Sequence, residues 1–232
     1  SWPQNMAIST ADFNDDGQVD LVNIFKDTIE LRYNEEGTFG EPTILFEGEF
    51  ELDNIVTGDF DGDSDPDIAA TSFDGTDGVI ALLNKGRGNF KLVVVESELD
   101  DIWPICTGDL DDDGVDELIV SGFTYMGGQP GFKPLVMYDC SEYGVFSKTQ
   151  ILVSDYGAQA LSVGDVNSDG HLDIVYGAVV RSEFGWIQNN GNCQFSQHHT
   201  DTKISRPYWI TTPDFDSNDF ADLLICNDDG LY

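Results

Sequence analysis

Asp12-Phe13-Asn14-Asp15-Asp16-Gly17-Gln18-Val19-Asp20 runs straight into the apolar pair Leu21-Val22. The pattern returns as Asp59 to Asp67 (DFDGDSDPD), Asp109 to Glu117 (DLDDDGVDE), Asp165 to Asp173 (DVNSDGHLD) and Asp214 to Asp222 (DFDSNDFAD), each copy leading into a strand-like apolar segment. Oxygen side chains stand at positions 1, 3, 5 and 9 of every copy. This alternation lets one tight loop turn several hard ligands onto a single cation. Ca2+ is the expected occupant, because it takes about six to eight oxygens. No His or Cys recurs at ligand positions, which disfavours zinc.

The expected side-chain ligands are Asp12, Asn14, Asp16 and Asp20 in the first loop and Asp59, Asp61, Asp63 and Asp67 in the second. Those of the third are Asp109, Asp111, Asp113 and Glu117; of the fourth, Asp165, Asn167, Asp169 and Asp173; of the fifth, Asp214, Asp216, Asn218 and Asp222. Position 7 (Gln18, Asp65, Val115, His171 and Phe220) would add its backbone carbonyl. Gly17, Gly114 and Gly170 suit a sharp turn at position 6. Ser64 and Asp219 stand there in copies two and five, where positive φ costs on the order of 1 kcal/mol, so those two of the five expected sites read as weaker. An EF-hand needs a bidentate Glu at position 12, but that position holds Asn23, Ala70, Val120, Tyr176 and Ile225. The loop therefore reads as a clip between two strands.

Successive first aspartates lie 47, 50, 56 and 49 residues apart, the period of a four-stranded propeller blade. The fold class expected is all-β, a β-propeller with the metal loops between strands one and two. The blades span approximately 6–47, 54–96, 103–154, 159–202 and an incomplete 208–232. In the first, strands are expected at Met6 to Ala11, Leu21 to Phe25, Ile29 to Tyr33 and around Thr43 to Phe46. The turn Asn34 to Phe39 recurs as Asn84 to Phe90, Asn189 to Phe195 and, degraded, Asp139 to Phe146, with its Phe expected to plug the interior. Repeat three carries an inserted Gly-rich loop, Ser121 to Pro134, either functional or tolerated. Four blades and a fragment leave open edges, to be closed by further sequence or by another chain.

The net charge is −34, and 22 of the 44 acidic residues fall inside the five windows. The remaining excess argues against nucleic acid or an anionic membrane as partner. No stretch approaches the roughly 20 apolar residues of a membrane span, and there is no Asn-x-Ser/Thr sequon. Cys140 and Cys193, at equivalent turns of successive repeats, could bridge neighbouring blades. Weak multi-Asp loops fill at extracellular calcium levels, so an extracellular location is expected.

Repeat four adds Tyr156-Gly157, Val163-Gly164-Asp165 and Asp173-Ile174-Val175-Tyr176-Gly177-Ala178, with Val179 next. Together with the five loops, these resemble FG-GAP/VCBS repeats, the calcium-clipped blades of integrin α-subunit propellers and of many secreted microbial and protist proteins. The other repeats lack Gly-Ala, which fits a VCBS-like branch better than an integrin chain. The resemblance implies a portion of a seven- or eight-bladed propeller used for adhesion, ligand recognition or extracellular assembly, with structural calcium.

Any ligand face should lie opposite the metal loops. Met6, Asp53, Trp103, Gln159 and Tyr208 stand six residues before each first aspartate, with Trp209 and Arg181 on the same face. Aromatics with a few polar groups suit a sugar or peptide, giving Trp103, Tyr208, Trp209 and Arg181 as ligand candidates. The competing expectation is that Trp103, Trp186 and Trp209 pack between blades. No hydrolase, zincin, Walker or dinucleotide motif is present, so no enzyme is expected. The expected partners are a protein, or another copy through open blade edges. A lectin-like or polysaccharide-lyase-like propeller, with a glycan partner, is the alternative.

Overall fold

A computed structural model describes residues 7–48, 52–72, 78–97, 102–126, 129–132, 135–141, 144–152, 158–178, 182–191, 193–216, 221–227 and 230–231. Among them there is no helix, hence none long and apolar enough to cross a membrane.

Strands β1 (Ile8–Ala11), β2 (Asp20–Phe25) and β3 (Thr28–Arg32) are followed by the short β4 (Asn34–Glu35) and β5 (Thr38–Phe39) and by β6 (Thr43–Glu47). The first sheet has the order β1-β2-β3-β6, while β4 and β5 pair as a small hairpin of their own. Strands β7 (Leu52–Gly58), β8 (Asp67–Ser72), β9 (Val79–Asn84) and β10 (Phe90–Glu96) make the second four-stranded sheet in sequence order. The third consists of β11 (Ile102–Gly108), β12 (Glu117–Met126), β13 (Gln129–Phe132), β14 (Leu135–Ser141) and β15 (Val145–Leu152), with β13 pairing only β12. The fourth is β16 (Ala160–Gly164), β17 (Asp173–Ala178), β18 (Glu183–Asn189) and β19 (Phe195–Lys203). The last holds β20 (Trp209–Thr211), β21 (Leu224–Asn227) and β22 (Gly230–Leu231).

Period-two burial drives these strands. In β2 and β3 the side chains of Val22, Ile24, Ile29 and Leu31 are fully buried, and the residues between them are only partly so. Strands β8 and β9 are buried at every position, which requires their sheet to be covered on both faces. The inserted Gly-rich stretch of the third repeat is not an irregular loop. Strand β12 runs on through it, pairing Phe123 with Phe132 and Met126 with Gln129, so the insertion satisfies its backbone as a two-stranded ribbon.

Two compact units divide the chain, residues 1–105 with 138–147 and residues 106–137 with 148–232. The core of the first joins sheets one and two: Phe13, Val22, Ile24, Ile29 and Leu31 pack against Leu52, Ile55, Ile68, Ala70, Ile80 and Leu82. In the second unit, Leu110, Ile119 and Met137 pack with Leu161, Ile174, Tyr176 and Ile187. Val175 meets Ile210 and Ile225 in a further cluster there.

The turn Phe plugs the interior only in part: Phe90 and Phe195 pack against the core clusters while remaining partly exposed. Phe39 is 47% exposed and Phe90 only partly buried, whereas the second loop residue is buried in three copies (Phe13 1%, Phe60 0%, Leu110 0%). Phe90 instead sets its ring edge-on to Phe13 of the preceding sheet, centroids 5.9 Å apart. The Cys140–Cys193 bridge that the sequence allowed is not formed; Cys193 Sγ lies 3.9 Å from Met137 Sδ instead. Cys140 is spent elsewhere: it is buried among carboxylates, and burial first, then the charges of Asp61 and Asp67, push its thiol up to about 12.

Sheet two grips sheet one, and sheet four grips sheet three, through one asparagine each. Asn84 Nδ2 donates to Phe13 O at 3.0 Å, and Asn189 Nδ2 to Leu110 O at 2.6 Å. Both side chains are fully buried. Gly164 sits so close to the following sheet that a Cβ there would lie 2.8 Å from Thr212 Cβ, which explains the Gly before Asp165. Replacing Asn84 or Asn189 by Ala strands buried carbonyls and should cost about 1–3 kcal/mol each. Asn34→Ala, at a partly exposed site, should cost less. Urea unfolding of the three variants checks the ranking.

Candidate metal centres

The first aspartate folds each of the first four loops onto itself. Asp12 accepts the backbone N–H of Asp16 (3.1 Å) and of Gly17 (2.7 Å). Asp59 takes those of Asp63 and Ser64, Asp109 those of Asp113 and Gly114, and Asp165 those of Asp169 and Gly170, all between 2.8 and 3.2 Å. The position 5 carboxylate then takes the N–H of position 7, as in Gln18 to Asp16 at 2.9 Å. So tight a path needs two left-handed residues, where only one was expected. They are Asp15 and Gly17, Gly62 and Ser64, Asp112 and Gly114, and Ser168 and Gly170, with φ between 59° and 91°. The second copy exchanges its glycine, placing Gly62 at position 4 and Ser64 at position 6.

Position 9 does more than close the ligand set. Its carboxylate is buried in four copies, with Asp20, Asp67 and Asp173 at 0% and Glu117 at 1% exposure, while Asp222 is only partly buried. One oxygen of Asp67 accepts Phe60 N–H at 2.9 Å, and the other accepts Asn84 N–H at 2.7 Å. Asp20 bonds Phe13 and Asn34 in the same way, and Asp173 bonds Val166 and Asn189. Glu117 takes Leu110 N–H and Asp222 that of Phe215. In the first, second and fourth copies the carboxylate thus ties the loop to the turn that follows the third strand.

Three carboxylate sets converge with their oxygens within 4.8 Å of one another: Asp59, Asp61 and Asp67; Asp109, Asp111 and Glu117; Asp214, Asp216 and Asp222. Such sets could hold a metal ion. The chemistry fits a hard cation, since the donors are all carboxylates, and Asp61 Oδ1 is buried without a hydrogen-bond partner. Asn14 and Asn167, at position 3 of loops one and four, instead turn Nδ2 to Asp16 and Asp169 at 3.0 and 2.9 Å. Asn218 and Phe220 lie outside the described residues.

The FG-GAP-like repeat family matches residues 12–70 and 59–120, each stretch spanning two successive first aspartates. The chain carries FG-GAP-like repeats. The match does not single out a VCBS-like branch. No curated protein sequence matches the chain. In fold, these FG-GAP blades are similar to an Agrocybe aegerita lectin specific for non-reducing terminal N-acetylglucosamine (TM-score 0.67, 17% identity, 96% of this chain and 60% of that one). They are also similar to BBS1N in its complex with ARL6DN (0.58, 14%, 98% and 63%), and to the exotype rhamnogalacturonan lyase YesX (0.50, 16%, 97% and 55%). At such identities the likeness is one of β-propeller fold, and the chain spans less than two thirds of each relative.

Among the ligand candidates, Tyr208 and Trp209 are 49% and 51% exposed. Trp209 is therefore not packed away, whereas Trp186 is stacked on His198 with centroids 4.6 Å apart. The side chains of Trp103 and Arg181 lie outside the described residues. Two contributors escaped the sequence reading. The buried asparagines Asn84 and Asn189 were legible only as turn residues, and Lys85, which bonds Asp61 and Asp63 (3.3 Å), carries no motif. Burial alone would lower the Lys85 pKa, but the bond to Asp61 and the charges of Asp61 and Asp63 raise it.

Burial pushes Asp67 up to about 7 and Glu117 up to about 8 against the backbone bonds each accepts. It raises Asp20 and Asp173 as well. A carboxyl with a raised folded pKa binds more protons folded than unfolded. Metal-free protein therefore gains stability as pH falls from about 8 toward about 4, the window between folded and ordinary values. Melting in chelator should rise between about pH 8 and pH 6, while the gain given by Ca2+ shrinks, because protons and metal compete for the same oxygens. A metal-free melting temperature that falls on acidification would contradict this.

Proposed function

We propose that the chain is part of an extracellular recognition module: FG-GAP blades locked by Ca2+ that present a face to a protein partner or to a second copy, with no catalytic role. The observation that carries the reading is the convergence of carboxylate oxygens in three of the repeated loops, the two at Asp59 and Asp109 having backbone N–H groups already committed to their own aspartates. A divalent cation would supply the missing positive charge. In each loop the residues to hold it are the oxygens of positions 1, 3, 5 and 9 and the carbonyl of position 7.

Location follows from supply. Loops of this open, solvent-facing kind suit weak sites, which fill at the roughly millimolar calcium outside cells. With only 10 Lys and Arg against 44 acidic residues, the chain has few cations of its own to place in five such loops. Recognition is favoured over catalysis because half of its acidic residues fall in the repeated loops and the sequence carries no hydrolase, zincin, Walker or dinucleotide motif.

Ligation to the folded state alone stabilises by about 1.4 kcal/mol per site when free metal exceeds Kd about tenfold, as millimolar Ca2+ does for a site of roughly 0.1 mM. For a domain of this size that corresponds to a melting shift on the order of 3–6 °C per site. Adding EGTA to protein in millimolar Ca2+ should therefore lower the melting temperature by at least that amount, and excess Ca2+ should restore it. An unchanged melting curve would remove calcium from the account.

A glycan is the second reading, favoured by half-exposed Tyr208 and Trp209 and by the fold shared with an N-acetylglucosamine lectin. It expects oligosaccharide binding on an array that Trp209→Ala abolishes without lowering the melting temperature. Binding to a protein partner, or self-association in light scattering insensitive to free sugar, would favour the first.

A further inference from the structure

We infer that Lys85 is the resident cation of the second loop, so that Ca2+ enters this loop only by displacing a tethered ammonium. The inference rests on the calcium reading above and sets this loop apart from loops one and four.

The second loop is the only one with carboxylates at positions 1, 3, 5, 7 and 9. Its position 3 residue is the problem the fold has to solve. The Asp61 side chain is 1% exposed, and a buried carboxylate without a counter-charge is strongly destabilising. Loops one and four avoid this by placing neutral Asn14 and Asn167 at position 3, where the amide Nδ2 donates to the position 5 carboxylate. Loop two has no such amide. Lys85 Nζ takes that role, bonding Asp61 Oδ2 and, at 3.3 Å, Asp63 Oδ2.

The lysine is built in rather than passing by. Asn84, immediately before it, is pinned by its N–H to Asp67 of the same loop at 2.7 Å. The Lys85 N–H closes the turn on Asn89 O at 2.8 Å, and Gly86, Arg87 and Gly88 are all left-handed, with φ of 95°, 56° and 71°. The stem therefore starts from a fixed point beside the loop. The corresponding residues after Asn34 and Asn189 are Glu35 and Asn190. Glu35 is itself acidic, and Asn190 turns its amide to Gln194 O and Ser196 Oγ, so loops one and four have no equivalent ammonium. Asp61 Oδ1 stays buried and unpartnered, which leaves the loop one ligand oxygen that the lysine does not satisfy. An incoming Ca2+ gains that oxygen but meets a positive charge already on the other.

Calcium counting by native mass spectrometry, with affinities from calorimetry, tests this on wild type, Lys85→Met, Lys85→Gln and the double variant Lys85→Met with Asp61→Asn. The two lysine variants should bind one more tight Ca2+ than wild type, or tighten the weakest site at least tenfold. The double variant, which also removes the carboxylate the lysine holds, should lose that gain. Arg87→Gln, which removes a charge two residues along the same turn, should behave as wild type. Equal counts and affinities in wild type and both lysine variants, or a gain that survives in the double variant, would overturn the lysine assignment alone. A wild-type chain that binds no Ca2+ at millimolar concentration would overturn the calcium reading with it.

Discussion

A buried carboxylate at the ninth loop position is the constraint on which the rest depends. It sits at the mouth of the second strand, out of water, and holds two backbone N–H groups from opposite directions, one in the metal loop and one just beyond the third strand. Removing a carboxylate from water is costly unless it is well bonded. Here the bonds both offset that cost and fix the connection between strands one and two. Burial still leaves the group with its pKa raised, so the metal-free loop remains electrostatically unsatisfied. Carboxylate sets so placed could hold a cation, and in the second loop Asp61 Oδ1 has no hydrogen-bond partner of its own.

Coupling between sheets starts from the same loop. Its second residue gives its N–H to the carboxylate, its side chain to the hydrophobic core, and its carbonyl to the asparagine of the next sheet, as Phe13 does for Asn84 and Leu110 for Asn189. Anything that orders the loop therefore also orders the contact with the neighbouring sheet. Small residues and hydroxyls complete the contact: Ser9 meets Thr57 and Ser162 meets Thr212, each at 2.9 Å. A metal bound on the surface of such a loop can in this way stabilise packing well beyond its own ligands.

The fold is shared by a lectin, by BBS1N and by a polysaccharide lyase. An architecture so widely used says little about what is bound. What individualises this chain is the distribution of charge and aromatic surface over a common blade: an ammonium in one metal loop, half-exposed Tyr208 and Trp209 on the fifth sheet, and an extra ribbon on the third.

Much of this was written in contiguous residues. The alternation of oxygen side chains, the apolar run after each loop and the interval of about 50 residues determined by themselves the strands, the blades and the candidate ligands, because each is a local pattern that one stretch of backbone expresses. Tertiary structure alone decided the rest. Asn84 reaches a carbonyl 71 residues away, Asn189 one 79 residues away, and Lys85 a carboxylate 24 residues away, distances over which no sequence period operates. The same holds for which aromatic becomes the plug, Phe13 rather than Phe39, and for Trp209 staying exposed while Trp186 is stacked. Whether a side chain is buried depends on which sheet lies against it, and that is settled by packing rather than by the residues beside it in the chain.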